Sequence, residues 1–357
     1  EIVDAKGGVI MPAFINAHTH IYSALARGLS IVGNNPTNFY EVLDGTWWAI
    51  DRHLMMDGTK ASATALYIDS IKQGVTTVFD HHASYGEIPG TLHTIAEESK
   101  RLGLRSCLCY EVSDRDGEEK CLQAIKENAD FITECEQRKD PMLAAMFGGH
   151  ALFTISDKTF DRMVEANNGR TGYHIHVSEG MNDVYDSLQN YGRRPVQRLH
   201  DRGILGDKTI LGHCIHVNPA EIELIQNTHT MVVNNPESNM SNAVGVCPVL
   251  PLSKAGILLG LGTDAVPDDA FVALVLGQGV YGYRVMVQLA DGTPVEGATV
   301  SGIQPLTGST LVTGADGTVL GKSASASVTI GCTSPYIDQK APAAQTVTKT
   351  GTITDVT

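Results

Sequence analysis

Histidine and aspartate residues with the spacing of metal ligands occur at four places in this 357-residue sequence. They lie in FINAHTH (14–20), HIHVSE (174–179), LGHC (211–214) and GLGTD (260–264). An HxH pair alone is a weak signal, because paired histidines are often only polar residues at the rim of a strand. Together, three imidazoles and one carboxylate suit a divalent ion such as zinc or iron and leave a position for water.

The segments that must position these residues alternate between short apolar runs and helical patterns. Such alternation is typical of βα units around a parallel sheet. The helical patterns are clearest over 59–74, 90–103 and 118–137, and the long segment after the first run contains Trp47 and Trp48, which we interpret as core or lid packing. The eight apolar runs are 13–18, 75–82, 104–112, 142–150, 171–177, 209–215, 230–235 and 256–264.

Eight strands, each followed by a helical segment, predict an α/β fold of the closed (β/α)8 TIM-barrel type. An open doubly wound sheet usually has fewer strands and a glycine-rich phosphate loop, which is absent after the first run here. Barrel enzymes build their sites at the C-terminal ends of the strands, and strand 1 neighbours strand 8. The candidate residues follow that rule: His18 and His20 end strand 1, His174, His176 and Glu179 end strand 5, His213 ends strand 6 and Asp264 ends strand 8.

Other histidines have plainer interpretations. His81 and His82 could also be ligands, but they lie on strand 2 and are expected to be pocket-wall or satisfied polar residues. His150 ends strand 4 and could contact substrate. His174 and His216 are expected to be structural rather than ligands.

The composition limits the partners. A formal net charge of −14 and a pI near 5.3 give no basic footprint, so neither nucleic acid nor a membrane surface is an expected partner. A small neutral or cationic molecule fits better. Seven cysteines without CxxC pairs predict reduced thiols and a cytoplasmic location. We find neither a signal peptide nor an apolar run long enough to span a membrane.

The sequence changes character after about residue 275. The remainder is rich in Thr, Val, Gly and Ser, alternates with a period of two, and contains the turn sequences ADGTP and ADGT. We therefore predict two domains, a barrel over 1–275 and a small Ig-like β-sandwich module over 276–357. A structural or spacer role is the plainer interpretation of that module, and its character argues against a cytoplasmic location.

Several of these motifs resemble a known family. MPAFINAHTH, HIHVSEG, LGHCIHV, NNPESNM and GLGTDA are similar to motifs of the amidohydrolase superfamily, in the branch of cytosine and guanine deaminases and chlorohydrolases. NFYEVLDGTWWAIDR, VFDHHAS and CLCYEVSDRDGEEK extend the likeness toward the SsnA-type aminohydrolases linked to selenium metabolism. The resemblance covers about residues 4–265.

The resemblance implies a role for each matching residue. One divalent metal ion, zinc or alternatively iron, would be held by His18, His20, His176 and Asp264. Asp264 would also accept a proton from water. Glu179 would shuttle protons, while His213 would orient the hydroxide, stabilise charge or contact substrate.

The implied activity is a metal-dependent aminohydrolase (deaminase) acting on a non-peptide C–N bond of a small nitrogen heterocycle or amidine, with a homodimer as the expected assembly. Two departures favour an alternative. The chain begins almost at strand 1, and the family's continuation after Asp264 is not recognisable, so the barrel could be incomplete at its end. The alternative is a catalytically inactive barrel fused to a β-sandwich interaction or adhesion module.

Overall fold

The fold was analysed in a computed structural model of the chain. It describes residues 11–26, 29, 31–264, 281–289, 293–305, 311–323, 327–333, 345–348 and 353–356. The chain divides into two compact units, 1–271 and 272–357. The predicted division at 275 lies outside the described residues.

The first unit is a barrel of parallel strands, as predicted. Its strands form two arcs, one of four strands in the order β1-β2-β3-β4 and one of five in the order β5-β6-β7-β8-β9. The bounds are β1 (Phe14–Thr19), β2 (Val75–His82), β3 (Arg105–Tyr110), β4 (Leu143–Ala145), β5 (Phe147–Ala151), β6 (Tyr173–Val177), β7 (Ile210–His213), β8 (Met231–Asn234) and β9 (Leu259–Leu261).

The fourth predicted strand is two short strands rather than one. Met146 separates β4 from β5, and its N–H donates to the carbonyl of Leu108 on β3, 3.1 Å away. The next N–H, that of Phe147, instead donates to the carbonyl of Gly172, which lies just before β6, at 2.9 Å. The chain therefore crosses from one arc to the other at Met146, which an apolar run in the sequence does not reveal.

Backbone hydrogen bonds join the two arcs at the other seam as well. The N–H of His20 donates to the carbonyl of Asp264 at 2.9 Å, and the N–H of Asp264 donates to the carbonyl of His18 at 3.1 Å. The Asn16 amide donates to Thr263 Oγ1 at 2.8 Å and accepts the Thr263 N–H at 3.2 Å. The ring of strands is thus closed beside Asp264, and the expected gap beside the last strand is absent from the described residues. Residues 265–280, where the family's continuation is not recognisable in the sequence, lie outside the described residues.

Helices follow the strands, and the three helical patterns of the sequence are confirmed as α3, α4 and α5. Gly103 ends α4 in the left-handed region at φ 79°, where a side chain would be strained. No helix among the described residues is long and apolar enough to cross a membrane. The helices are α1 (Phe39–Val42), α2 (Trp48–His53), α3 (Met56–Lys72), α4 (Thr91–Leu102), α5 (Glu118–Arg138), α6 (Asp157–Asn167), α7 (Met181–Tyr191), α8 (Pro195–Asp201), α9 (Pro219–Asn227), α10 (Pro236–Ser241) and α11 (Val249–Lys254).

A buried apolar cluster packs side chains of both arcs together. The cluster consists of Cys107 and Cys109 of β3, Ile210 of β7, Val233 of β8, and Met146, where the chain crosses between the arcs. Burying these side chains stabilises the ring by removing apolar surface from water. The arcs are therefore held by packing as well as by backbone hydrogen bonds.

The second unit consists of two small sheets, and every described strand pair but one is antiparallel. The sheets have the orders β12-β13-β10-β16 and β11-β14-β15. Tyr283 and Val285 share a buried cluster with Val300, Leu311 and Ile330, so side chains from both sheets form one core. The Ig-like assignment stays a prediction. The strands are β10 (Tyr281–Met286), β11 (Thr299–Ser301), β12 (Gln304–Pro305), β13 (Thr318–Ser323), β14 (Ser327–Thr333), β15 (Gln345–Thr348) and β16 (Ile353–Val356).

Asn16 tests the closure of the strand ring. We expect Asn16→Ala to lower the free energy of unfolding of the barrel by about 1 to 3 kcal/mol, because it removes both hydrogen bonds that the Asn16 amide makes with Thr263. Urea unfolding followed by the fluorescence of Trp47 and Trp48, which lie in this unit, measures the change. The exposed Asn190→Ala is the matched control, and an equal, small effect of both variants would contradict the role of Asn16 at the seam.

Candidate metal centre

Four donor atoms from β1, β6 and the residues after β9 converge at the C-terminal end of the barrel. His18 Nε2 lies 2.8 Å from Asp264 Oδ1 and 3.2 Å from His176 Nε2. His20 Nε2 lies 3.1 Å from both Asp264 Oδ1 and His176 Nε2. Ligand atoms that share one ion at about 2.1 Å are roughly 3.0 to 3.4 Å apart, so the spacing fits a single metal ion.

Hydrogen bonds on the far side of two rings direct their lone pairs into this cluster. His20 Nδ1 lies 2.6 Å from the carbonyl oxygen of His81, and His176 Nδ1 lies 2.7 Å from that of His150. A carbonyl oxygen can only accept, so in each neutral ring Nδ1 carries the hydrogen and Nε2 holds the lone pair. Two lone pairs facing each other at 3.1 Å repel unless a proton or a metal ion lies between them. The donor set therefore fits a metal ion.

The electrostatics of the cluster favour ligand-competent side chains. Burial lowers the pKa of His18 to about 3 and the pKa of His176 well below its usual range, which keeps both rings neutral. Burial alone would raise the pKa of Asp264, but His213 and hydrogen bonds with His18 and His20 hold it well below its usual range. His20 is the exception: burial lowers its pKa, but Asp264 and Glu111 raise it well above the usual value. A positive charge is thus favoured between the carboxylates.

Glu179 and His213 lie beside Asp264, as the resemblance implies. His213 Nε2 is 3.5 Å from Glu179 Oε2 and 3.7 Å from Asp264 Oδ1. The amide oxygen of Asn239 lies 2.8 Å from His213 Nδ1 and fixes the ring. Burial raises the pKa of Glu179 above its usual range, while His213 opposes the shift. A carboxyl group with a raised pKa can both give and take a proton near neutrality.

The backbone is strained where the strands deliver these residues. Ser178, His213, Cys214 and Asp264 have φ between 49° and 65°, a region that residues other than glycine rarely adopt. They follow or end β6, β7 and β9, the strands that carry the site. Such strain persists only where the surrounding structure enforces it, and it is common at functional sites.

A cleft opens onto the cluster. Its wall includes the aromatic rings of Phe39, Trp47, Trp48 and Phe153, with Trp48 only 4% exposed. The segment after β1 is therefore a wall of the pocket as well as the packing element predicted from the sequence. His150 also lines the cleft, where its predicted contact with substrate is possible. Flat aromatic side chains favour stacking with a heteroaromatic ring.

Sequence reasoning missed Glu111. It follows β3, is 2% exposed and lines the same cleft. Its Oε1 lies 2.9 Å from His81 Nδ1 and 3.2 Å from His20 Nδ1. The signal was available, because CYEV places a carboxylate at the C-terminal end of a strand, the rule already applied to the other candidates.

The histidines predicted to be structural do have structural partners. His81 Nε2 is 2.9 Å from the carbonyl oxygen of His174, and His174 Nε2 is 2.8 Å from His18 Nδ1. His82 Nε2 is 3.0 Å from Ser84 Oγ, and His216 Nε2 is 2.8 Å from a carbonyl oxygen in the loop before α11. His174 thereby fixes the orientation of the His18 ring.

Curated proteins similar to this chain are deaminases of adenosine derivatives. A 5'-deoxyadenosine deaminase of Methanobrevibacter smithii is 31% identical over 276 residues, which are 77% of this chain and 61% of that protein. A 5-methylthioadenosine/S-adenosylhomocysteine deaminase of Thermococcus sibiricus is 32% identical over 271 residues, 75% of this chain and 61% of that protein. The chain thus spans about three fifths of the length of these relatives.

Solved structures show the same barrel. An adenosine deaminase from Xanthomonas campestris with bound zinc has a TM-score of 0.62 at 26% identity, covering 71% of this chain and 56% of that chain. An atrazine chlorohydrolase from Arthrobacter aurescens, complexed with zinc, shares the fold with a TM-score of 0.59 at 21% identity, covering 71% of this chain and 59% of that chain. The predicted deaminase and chlorohydrolase branch is confirmed, while the finer likeness to SsnA-type proteins stays a prediction. A sequence profile of the amidohydrolase family matches residues 9–301, and the chain belongs to that family.

Proposed function

We propose that this protein is a metal-dependent aminohydrolase that releases ammonia from a nitrogen heterocycle, with an adenine-type nucleoside as substrate. The observation that carries the proposal is the convergence of three imidazoles and one carboxylate beside Glu179 at the floor of an aromatic cleft. The relatives named as deaminases of adenosine derivatives support the substrate class.

The proposed cofactor is one zinc ion, held by His18, His20, His176 and Asp264; iron is compatible with the same donors. When bound, such an ion would lower the pKa of water toward neutrality and so supply hydroxide at pH 7. Carbonyl oxygens accept from Nδ1 of His20 and of His176, so the Nε2 atom of each ring is the one directed at the ion. This arrangement fixes both the tautomer and the orientation of the ligand rings.

The other side chains would move protons. Ser238 donates a hydrogen bond to Oδ2 of Asp264, and Oδ1 faces the cluster. Asp264 can therefore take a proton from the attacking water at Oδ1. Glu179, with its raised pKa, can hold that proton and deliver it to a ring nitrogen, which makes the attacked carbon more electrophilic and later helps ammonia leave. His213, fixed by Asn239, would orient the attacking oxygen and stabilise developing charge. His150 would contact the bound ring from the wall.

The alternative of an inactive barrel fused to an interaction module has less support. It rested on the expectation that the barrel could be incomplete and the ligands splayed. The ligand atoms instead lie 2.8 to 3.2 Å from their neighbours, and the strand ring is bridged beside Asp264. Both features favour the enzyme.

A substitution of Glu179 tests the proposed proton transfer without changing the proposed metal ligands. We expect Glu179→Gln to lower kcat for ammonia release from adenosine or 5'-deoxyadenosine by about 100- to 10,000-fold, because an amide cannot transfer the proton. Metal content should stay at the wild-type value, since Glu179 is not a proposed ligand. A variant that keeps its metal and retains kcat within about threefold of wild type would contradict the role of Glu179.

Removing a central ligand tests the metal site separately. His176→Ala should reduce bound metal, measured by elemental analysis after dialysis, from one ion per chain to about a tenth or less, with a parallel loss of ammonia release. His200→Ala is the matched control, because His200 has a side chain that is 47% exposed and lies outside the cleft. Retention of a full equivalent of metal by the His176 variant would refute the proposed ligand set.

A further inference from the structure

The cleft is also lined by a pair of polar side chains, Glu111 and His150, that the proton-transfer steps do not use. Glu111 and His150 both line it, and Glu111 Oε2 lies 3.8 Å from His150 Nε2, beyond hydrogen-bond distance. The other carboxylate oxygen, Oε1, is already occupied by His81 at 2.9 Å and His20 at 3.2 Å. The two oxygens of Glu111 therefore have different surroundings.

His150 Nε2 is an acceptor in this arrangement. His150 Nδ1 is 2.8 Å from Thr154 Oγ1, and that hydroxyl donates its own hydrogen to the carbonyl oxygen of Ala151 at 2.9 Å. Thr154 can consequently only accept from the ring, so Nδ1 carries the hydrogen and Nε2 a lone pair. Glu111 Oε2 and His150 Nε2 are thus two acceptors facing each other without a donor between them.

An unpaired donor lies in the same wall. The ring of Trp48 is 5.8 Å from the ring of His150, centroid to centroid. Its indole N–H is buried and has no hydrogen-bond partner among the described residues. Buried polar groups are normally hydrogen bonded, so an unpaired N–H in the wall of the cleft, on a ring close to that of His150, indicates a place for a polar group of a ligand.

We propose that Glu111 is a specificity-determining residue: with His150 it binds a hydrogen-bond donor, an amino or hydroxyl group, that the substrate carries apart from the amino group it loses. This inference rests on the proposed function for the identity of the substrate ring. A site built around acceptors rejects an analogue that lacks the donor, because binding that analogue leaves the acceptors desolvated and unpaired. A purely structural role for Glu111 would need only Oε1.

Binding of nucleosides that already lack the adenine amino group separates recognition from turnover. Two pairs test the two donors: inosine against 2',3'-dideoxyinosine for hydroxyl groups, and guanosine against inosine for an amino group. The chain has two tryptophans, Trp47 and Trp48, and both line the cleft, so their fluorescence reports occupancy of the pocket directly. The protein is titrated with its metal bound.

In the wild type we expect the donor-bearing member of at least one pair to bind about tenfold or more tightly. Glu111→Gln should reduce that ratio to within about twofold, because the amide can present a donor where the ligand needs an acceptor. Glu111→Asp keeps the charge on a side chain that is one methylene shorter, and it should weaken the preference about threefold. It replaces Glu111→Gln as the test if the glutamine variant does not fold. The matched control is Glu127→Gln, another buried carboxylate, which accepts hydrogen bonds from the N–H groups of Gly90 and Leu92.

The outcomes distinguish this inference from the proposed function. A preference that depends on Glu111, without ammonia release from adenosine compounds, supports the recognition site and overturns the deaminase activity. Ammonia release with equal affinities in both pairs, or with a preference that Glu111→Gln leaves unchanged, overturns the role of Glu111. If none of the three nucleosides binds to the wild type, the role of Glu111 is also overturned.

Discussion

Three imidazole rings and a carboxylate directed at one point favour a positive charge between them, and the rest of the barrel holds them in this arrangement. The Nε2 atoms of His20 and His176 face each other at 3.1 Å, with Nδ1 of each ring tied to a carbonyl oxygen. Neither ring can turn away without losing a buried hydrogen bond. A positive charge is therefore favoured at this point of the folded chain, and a bound cation would supply it while helping to hold β1, β6 and the end of β9 together.

The closure of the strand ring decides whether this arrangement can exist. Asp264 reaches the cluster because backbone hydrogen bonds with His18 and His20 join the last strand to the first. At this junction Asp264 adopts a left-handed backbone conformation with a φ of 60°, and Oδ2 of Asp264 accepts a hydrogen bond from Ser238. Chemistry and fold are thus coupled at one seam, and local strain there is offset by the packing of both arcs around their shared core.

The sequence predicted the repetitive parts of the structure better than the particular ones. Eight apolar runs and the position of polar residues at their C-terminal ends placed His18, His20, His176 and Asp264 together, because a parallel barrel gathers all its strand ends at one face. The break at Met146 was not predictable, since an apolar run reads the same whether it pairs with one neighbour or two. Glu111 was overlooked although it obeys the same strand-end rule. The contribution of Trp47 and Trp48 to the cleft depends on how the segment after β1 folds over the barrel, which periodicity does not specify.

X-ray absorption spectroscopy of the metal-loaded protein tests the central claim most directly, because it reports the atoms around the ion without reference to activity. The account predicts one ion per chain, surrounded by nitrogen and oxygen atoms at about 2.0 to 2.2 Å, with scattering from three imidazole rings and none from sulfur. Fewer than two imidazole rings, sulfur among the ligands, or a second ion in the same shell would contradict the site formed by His18, His20, His176 and Asp264.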